Sequence, residues 1–450
     1  MAGIAAAKRV VVSGLGLVLP TGIGKDPYWQ ALQSVRSCTG ALSRFTDPAV
    51  KDVAIAAEIN GFEIKDFTTS KLRKYMDRAG AYAVAATHMC IADAELDLAR
   101  DGRRVDLCIG TCCGALAWGE EQYRKVLATS LGALHPHTSI KAYPGNLIGL
   151  VTIILGIRGR GLVFSNLDSS GIDALRYGCD LIRTGRSSLV LAGATEAPLT
   201  PCVYYVLQQA GLLSQRVGRP EAASRPFDTD RDGLVLGEGA VMLLLEERSH
   251  ALHRGARVYA EIRGHAVAEP VNGNGHAPST AHRALDTALR DAGVAPERLG
   301  YVNAGACSLP DEDRREAEAL QEIFGAACGE VPVSSTRSVV GYPLSLAAPL
   351  QAATCALAMA EEALPPNGNL ERTDPGCYLR FLREPLRARP HYMLQSTFSC
   401  LQGRHAGFVY ARPEEEHYEA SVETSRGDRS RRGQLRRSRQ EGILVHPQPG

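Results

Sequence analysis

A small-residue turn between an apolar run and a helix-like segment is the first place in the sequence where chemistry is expected. The segment reads VFSNLDSSGIDALRYGCDLIRTG, with a strand-like run at 162–164 and a helix that begins near Ser169. A side chain at such a turn lies in the positive field of the helix N-terminus, where many enzymes hold a nucleophile. The residue at this turn is Asp168, a poor nucleophile beside Ser or Cys. Because Asp is a preferred N-cap, we predict that Asp168 caps the helix, with a catalytic or ligand-binding carboxylate as the alternative.

Two other patterns were candidates for cofactor or metal chemistry. The opening SGLGLVLPTG begins like a nucleotide loop, but Leu19 stands where a third glycine belongs, which favours a simple turn. The twelve cysteines include no C-x-x-C pair and no paired metal spacing. We therefore expect no metal and no cofactor, and we expect reduced, mostly buried thiols in a cytoplasmic protein.

The elements that must position Asp168 follow from the pattern of the whole chain. Apolar runs of strand length alternate with helical segments, which favours a layered α/β architecture. The strand, turn, helix and strand series around Asp168 recurs later in the chain, so we predict two related halves, residues 8–265 and 266–412. Residues 413–450 are rich in Arg, Glu, Ser and Gly, and this composition predicts a disordered polar tail.

Composition narrows the class of function. The chain has 450 residues, of which 45% are hydrophobic and 22% charged, and these values are typical of a soluble globular protein. The formal net charge is +1, so no overall field indicates nucleic acid or membrane as a partner. The most apolar segment, LIGLVTIILGIRG, is too short to span a bilayer.

One segment resembles a known family. SRPFDTDRDGLVLGEGA, at 224–240, is similar to the P-F-D-x-x-R-D-G-F-x-x-G-E-G-A signature of β-ketoacyl-acyl carrier protein synthases, and the resemblance extends over residues 8–412. It implies a thiolase fold, which is a five-layer αβαβα α/β architecture with two duplicated halves, and a dimer. Members of the family condense an acyl chain with malonyl groups on a carrier protein, using a Cys nucleophile, two His residues and a Lys.

The catalytic positions implied by the resemblance hold other residues here. Asp168, in NLDSSG, stands at the nucleophile, and Gly305, in NAGAC, at the first His. Arg337 replaces the Lys, Tyr342 replaces the second His, and Leu401 replaces the gating Phe of the C-terminal glycine-rich loop. Decarboxylative condensation needs a thiolate and neutral imidazole donors. The sequence therefore predicts that no residue is catalytic and that the condensing activity is lost.

A subgroup of the family has this profile, namely the chain length factor, or ketosynthase β subunit, of type II polyketide synthases. Similarity to it implies a heterodimer with an active ketosynthase α subunit, served by an acyl carrier protein, in which this chain shapes the elongation tunnel. The segment IGTCCGALAWGEEQY matches the stretch that reaches into that tunnel. Its candidate tunnel or interface residues are Cys112, Cys113, Leu116 and Trp118, with Trp118 nearest to a stop, and Leu401 is a further candidate.

Alternatives remain open at this point. Each tunnel candidate could equally pack the dimer core. The chain could also be a malonyl-carrier decarboxylase or priming enzyme, or a non-catalytic scaffold for a carrier protein or synthase.

Overall fold

A computed structural model describes residues 7–270 and 278–414. Contacts group the described chain up to Arg412 into one compact unit. The predicted polar tail, 413–450, lies outside the described residues from position 415 onward.

The described chain has strands and helices throughout its length. The strands are β1 Val10–Leu19, β2 Gly22–Ile23, β3 Thr39–Ala41, β4 Ile55–Ala57, β5 Val105–Gly110, β6 Gly161–Phe164, β7 Leu189–Glu196, β8 Leu236–Gly237, β9 Gly239–Glu247, β10 Ala260–Ala268, β11 Leu299–Asn303, β12 Pro332–Ser334, β13 Ala363–Leu364, β14 Arg380–Phe381, β15 Leu386–Arg387, β16 Tyr392–Phe398 and β17 His405–Ala411. The helices are α1 Lys25–Gln33, α2 Ser70–Arg73, α3 Arg78–Asp93, α4 Leu98–Asp101, α5 Leu116–Ala128, α6 Thr138–Ala142, α7 Asn146–Leu155, α8 Ser170–Arg183, α9 Pro201–Gln209, α10 Arg248–His253, α11 Pro278–Ala292, α12 Pro310–Phe324, α13 Arg337–Val340 and α14 Ala347–Glu361.

The strand order of the main sheet repeats itself. Hydrogen bonds connect the strands in the order β14-β12-β11-β16-β17-β10-β1-β9-β7-β5-β6. Within the first set (β1, β5, β6, β7, β9) and within the second (β10, β11, β12, β16, β17), the spatial order is third, second, fourth, fifth, first. The parallel and antiparallel pairings also correspond, since in both sets the second strand is parallel to the third and fourth and the fifth is antiparallel to the first and fourth.

Helices cover the strands on both faces. Helices α8 and α14 pack against each other and against strands of both sets, α3 packs on β1 and β9, and α11 packs on β10 and β17. The main sheet is continuous through the β1–β10 pair, and its two sets of strands form the two sheet layers of the predicted five-layer arrangement of helix, sheet, helix, sheet and helix. Because both faces are covered, β1 and β7 are buried at every position, in keeping with their continuous apolar sequences. The proposed division of the halves at residue 265 falls inside β10.

Among the described residues, one apolar helical stretch has the length of a membrane span. Residues Leu344–Glu361, which include α14, pass that test by length and composition, but 89% of the window is buried inside the protein. The stretch therefore serves as a core helix of this fold.

Candidate active site

The turn at Asp168 has the strand-to-helix geometry that the sequence predicts. Strand β6 ends at Phe164 and α8 begins at Ser170. Between them Leu167 has a φ of 46°, a left-handed conformation that L-residues with a bulky side chain rarely adopt. The turn directs Asp168 into the protein, where its side chain is 1% exposed.

The carboxylate of Asp168 is held by donors from two other segments. Oδ2 accepts hydrogen bonds from the Tyr342 hydroxyl (2.7 Å) and from the backbone N–H of Leu401 (3.1 Å). Oδ1 accepts a hydrogen bond from the Ser399 hydroxyl at 2.5 Å. We call these four residues the Asp168 cluster. Both carboxylate oxygens are engaged, which compensates for the burial of the charged group.

The prediction that Asp168 caps α8 was wrong. The N-cap residue is Ser169, and no side chain forms a capping hydrogen bond at this end of the helix. The Asp168 carboxylate instead faces the loop between β16 and β17 and the buried phenol. The carboxylate therefore accepts hydrogen bonds from segments distant in sequence, and not from the backbone N–H groups at the start of α8.

Tyr342 occupies the second imidazole position of the family as a buried phenol. Burial, together with the neighbouring Asp168, raises its pKa well above the ordinary value. The hydroxyl therefore stays protonated and donates a hydrogen bond to the Asp168 carboxylate. A group in this state can donate a hydrogen bond but cannot act as a base near neutral pH.

Arg337 lies beside this phenol in a fully buried position. The carbon of its guanidinium group is 5.6 Å from the Tyr342 ring centroid. Nη2 donates to the Ala347 carbonyl and to Gln351 Oε1, both at 3.3 Å, while Nε and Nη1 have no hydrogen-bond partner among the described residues. Burial lowers the pKa of the guanidinium.

Gly305 leaves the first imidazole position without a side chain, and backbone atoms of the neighbouring strand lie close to where its Cβ would stand. A Cβ at Gly305 would lie 2.9 Å from the Ser396 carbonyl oxygen and 3.2 Å from the Phe398 nitrogen. The Gly305 N–H donates to Glu316 Oε1 at 2.8 Å. An imidazole could enter here only if the β16 backbone moved.

One imidazole does lie in this part of the core, but it faces other groups. His405 at the start of β17 is buried, and burial lowers its pKa to about 3, so the ring is neutral. Its Nε2 pairs with the Ser396 hydroxyl at 2.9 Å. Ser396 also donates to Glu316, which completes a structural network beneath Gly305.

A second buried carboxylate, missed by the sequence analysis, anchors the loop after β5. Glu196 ends β7 and accepts hydrogen bonds from the Cys113 N–H at 3.1 Å, from the Cys112 N–H and from the Ser345 hydroxyl. Burial raises the pKa of Glu196 to about 7. The signal was an acidic residue closing the apolar run SLVLAGATEA, where a charge needs partners.

Several candidate residues meet in one apolar cluster. Tyr342 is buried there, and Cys112, Cys113 and Leu401 pack against it. A hydrogen bond with Cys113, together with burial, raises the pKa of the Cys112 thiol. Thiolate chemistry at neutral pH is therefore not expected of Cys112.

Leu116 and Trp118 lie on α5 but face different surroundings. Leu116 lines an open groove of about 380 Å³, whose lining consists of Leu116, Gly119, Glu120, Tyr123, Arg124, Leu127 and Cys202. We call it the apolar groove. Trp118 is not among its lining residues. The Trp118 ring instead lies under the Lys141 ammonium, 3.8 Å from Nζ to the ring centroid, and edge-on to His135.

Comparison with known proteins shows which family the chain resembles in sequence. Residues 7–251 match the description "Beta-ketoacyl synthase, N-terminal domain" and residues 259–371 match "Beta-ketoacyl synthase, C-terminal domain". The chain is 34% identical to the tetracenomycin polyketide synthase ketoacyl synthase alpha subunit of Streptomyces glaucescens, over 91% of this chain and 98% of that protein.

Solved structures show the same fold. The ishigamide ketosynthase/chain length factor has a TM-score of 0.83 and 27% identity, with 91% of this chain and 100% of that chain covered. A type II polyketide synthase ketosynthase in complex with its acyl carrier protein (AntDE:AntF) has a TM-score of 0.81 and 26% identity, with 90% and 100% covered. The predicted thiolase fold is confirmed. With both domains matched and the relatives spanned nearly end to end, the chain belongs to the β-ketoacyl synthase family.

Proposed function

We propose that this chain is a catalytically disarmed member of the family. In this proposal it is a chain length factor that pairs with an active ketosynthase and shapes the tunnel in which a polyketide grows. The observation that carries the proposal is the Asp168 cluster. At the position of the nucleophile, a buried carboxylate uses both oxygens to accept hydrogen bonds.

Loss of condensing activity follows from the side chains that remain. An acyl-enzyme on a carboxylate would be a mixed anhydride, which is far more labile than the thioester that a Cys forms. No imidazole stands at Gly305 or Tyr342 to stabilise the oxyanion that develops on decarboxylation. Residues of a catalytic set act as a unit, so replacing the nucleophile and both imidazoles together disables the set as a whole.

An exposed apolar surface supports pairing with a second ketosynthase-like subunit. Strand β6 is the terminal strand of the main sheet, and its first two residues, at 161–162, are exposed. Large exposed side chains include Ile153 on α7, which packs against β6, and Tyr123 and Leu127 on α5; they are 72%, 73% and 83% exposed. An unpaired edge strand beside exposed apolar side chains is typical of an interface. The occupant we propose is the active α subunit, with an acyl carrier protein delivering the chain.

The apolar groove supports a tunnel-shaping role for α5. Leu116, Tyr123 and Leu127 recur at intervals of seven and four residues, so they lie on one face of the helix. A partner subunit docked on this face would close the groove into a cavity. We propose that Leu116 and Tyr123 form the wall of this cavity. In this proposal Trp118, which packs under Lys141, sets the position of α5.

Co-expression with an active α subunit tests the tunnel role. Tyr123→Ala and Leu116→Ala should shift the product towards longer chains, because each removes bulk from the proposed wall. Trp118→Ala tests the prediction from the sequence that, of the candidates, Trp118 is nearest to a stop. Tyr378→Ala is the matched control, since Tyr378 is 71% exposed and lies in the other half of the chain. Unchanged product length in all three α5 variants would refute the tunnel role.

A separate experiment tests the absence of catalysis. The purified chain, incubated with a radiolabelled acyl donor and malonyl-carrier protein, should carry no covalent label and release no extended product. Covalent label on this chain, or ketide extension without a partner, would refute the proposal. Carbon dioxide released from malonyl-carrier protein by the isolated chain would instead support the decarboxylase alternative.

All twelve cysteines are free, which supports the cytoplasmic location that we propose.

A further inference from the structure

A strongly basic pocket lies at the opposite end of the sheet from Asp168. Five arginines line it, namely Arg103 and Arg104 before β5, Arg158 and Arg160 before β6, and Arg186 before β7. Three parallel strands begin here, whereas Asp168 follows the end of β6. The pocket is therefore separate from the site described above, and it has no part in the proposed function.

The charge of the basic pocket is only partly compensated, because Arg104 also interacts electrostatically with the nearby Asp101, whose main partner is Arg100. Its one lining carboxylate, Asp106, is already paired with Arg160 at 2.6 Å. Within the described parts of the chain, the guanidinium groups of Arg103, Arg104, Arg158 and Arg186 form no ion pair. Five arginines and one aspartate leave a net charge of about +4 in a protein whose total formal charge is +1.

The partial negative charge at nearby helix C-termini is too small to neutralise the positive charge of the basic pocket. Helices α7 and α8 both end close to this pocket, at Leu155 and Arg183. Each C-terminus carries the equivalent of about half a negative charge. Two helix ends therefore offset roughly one positive charge, and a net positive charge remains available to a ligand.

The walls of the basic pocket are fixed by hydrogen bonds. The Arg158 N–H donates to the Gly102 carbonyl at 2.8 Å. The Arg160 N–H donates to Asp106 at 2.7 Å, and Arg160 Nη2 donates to the Arg186 carbonyl at 2.7 Å. At Gly159 a Cβ would lie 2.1 Å from the Val105 carbonyl oxygen, so only glycine lets this turn approach β5. The three turns are thus held in place before any ligand binds.

We infer that the basic pocket binds a small molecule that carries at least two phosphate charges. Guanidinium groups match phosphate oxygens with two parallel hydrogen bonds, and several of them around one cavity favour a polyanion over a single carboxylate. The cavity volume of about 560 Å³ lies in the range of small-molecule sites and accommodates a nucleoside diphosphate. A concave pocket of this size between three turns suits such a ligand better than the convex surface of an acidic protein.

Titration calorimetry of the full chain at low salt tests this inference, with inorganic phosphate, pyrophosphate and ADP as probes. We expect pyrophosphate and ADP to bind more tightly than phosphate. The double variant Arg158→Gln/Arg186→Gln should weaken both by at least tenfold, because it removes two of the exposed guanidinium groups that would pair with phosphate oxygens. If ADP binds more tightly than pyrophosphate, the ligand is a nucleotide. If the two bind equally tightly, the ligand is a free polyphosphate.

Arg36→Gln is the matched control, since Arg36 is exposed and lies elsewhere in the sequence, and it should leave both affinities unchanged. An unchanged thermal midpoint in the double variant would show that the loss is local. Three results would overturn the inference: no binding to the unmodified chain, equal binding by the double variant, or loss only of binding to an acidic carrier protein.

Discussion

The Asp168 cluster makes a quantitative prediction about stability. If the carboxylate is held mainly by buried donors, Tyr342 and Asp168 should be energetically coupled. Tyr342→Phe removes only the hydroxyl that donates to Asp168 Oδ2 at 2.7 Å. Asp168→Ala removes the acceptor and leaves the donors of Tyr342, Ser399 and Leu401 without it.

The size of each effect follows from these contacts. A hydrogen bond to a charged group contributes about 1.5–3 kcal/mol, so Tyr342→Phe should lower the free energy of unfolding by about that amount. Asp168→Ala should cost about 3 kcal/mol, because unsatisfied buried donors are costly while removing a buried charge offsets part of the loss. The double variant should cost little more than Asp168→Ala alone. The coupling energy between the two positions should therefore be about 1.5 kcal/mol or more.

Urea unfolding of the four proteins measures this coupling directly. Tyr301→Phe is a matched control, since its buried hydroxyl pairs with the neutral Ser334 at 2.7 Å and not with Asp168. Tyr301→Phe should cost about 1 kcal/mol and add independently to Asp168→Ala. If the effects of Tyr342→Phe and Asp168→Ala on the free energy of unfolding add within about 0.5 kcal/mol, the hydrogen bond between the Tyr342 hydroxyl and the Asp168 carboxylate does not stabilise the protein.

Two further predictions concern neighbouring buried groups. Burial raises the folded-state pKa of Glu196 to about 7, above its ordinary value of 4.5. Between these two pH values the native state retains a proton that the unfolded chain loses. The free energy of unfolding should therefore fall by about 3 kcal/mol as the pH rises from about 4.5 to 7. Glu196→Gln should flatten that slope in unfolding measurements across this range, and an unchanged slope would contradict the assignment. Gly305→Ala should destabilise the protein by about 1–3 kcal/mol, because its Cβ would lie 2.9 Å from the Ser396 carbonyl. Gly305→His should destabilise it more and restore no condensing activity; a variant as stable as the parent would show that the space is open.

Much of the fold could be predicted from the sequence because it depends on patterns of many residues. Continuous apolar runs such as β1 and β7 are buried on both faces, as their composition indicates. The strand-to-helix turn at Asp168 could be predicted because its small residues adjoin an apolar strand and an amphipathic helix. The detailed strand order within each of the two halves could not be predicted, since most pairing partners, such as β5 and β7, lie tens of residues or more apart and local patterns do not specify which strands pair.

The environment of single polar side chains was harder to predict. The capping prediction for Asp168 relied on neighbours in sequence, whereas its donors come from Tyr342 and from the loop at 399–401. The direction of Trp118 depended on Lys141, which the chain brings back over its ring. In both cases the deciding contact is tertiary, so local propensity offers no signal for it.

The geometry at Gly305 bears on whether a single substitution could restore catalysis. A site that had merely lost an imidazole would contain a cavity, and a cavity could accept the side chain again. Here the Ser396 and Phe398 backbone lies within 3.2 Å of a Cβ at that position, and the Tyr342 hydroxyl is committed to Asp168. Restoring a Cys at 168 would remove the acceptor of three hydrogen bonds without supplying an oxyanion donor. The loss of activity that we propose is therefore maintained by the packing of the whole pocket and does not depend on Asp168 alone.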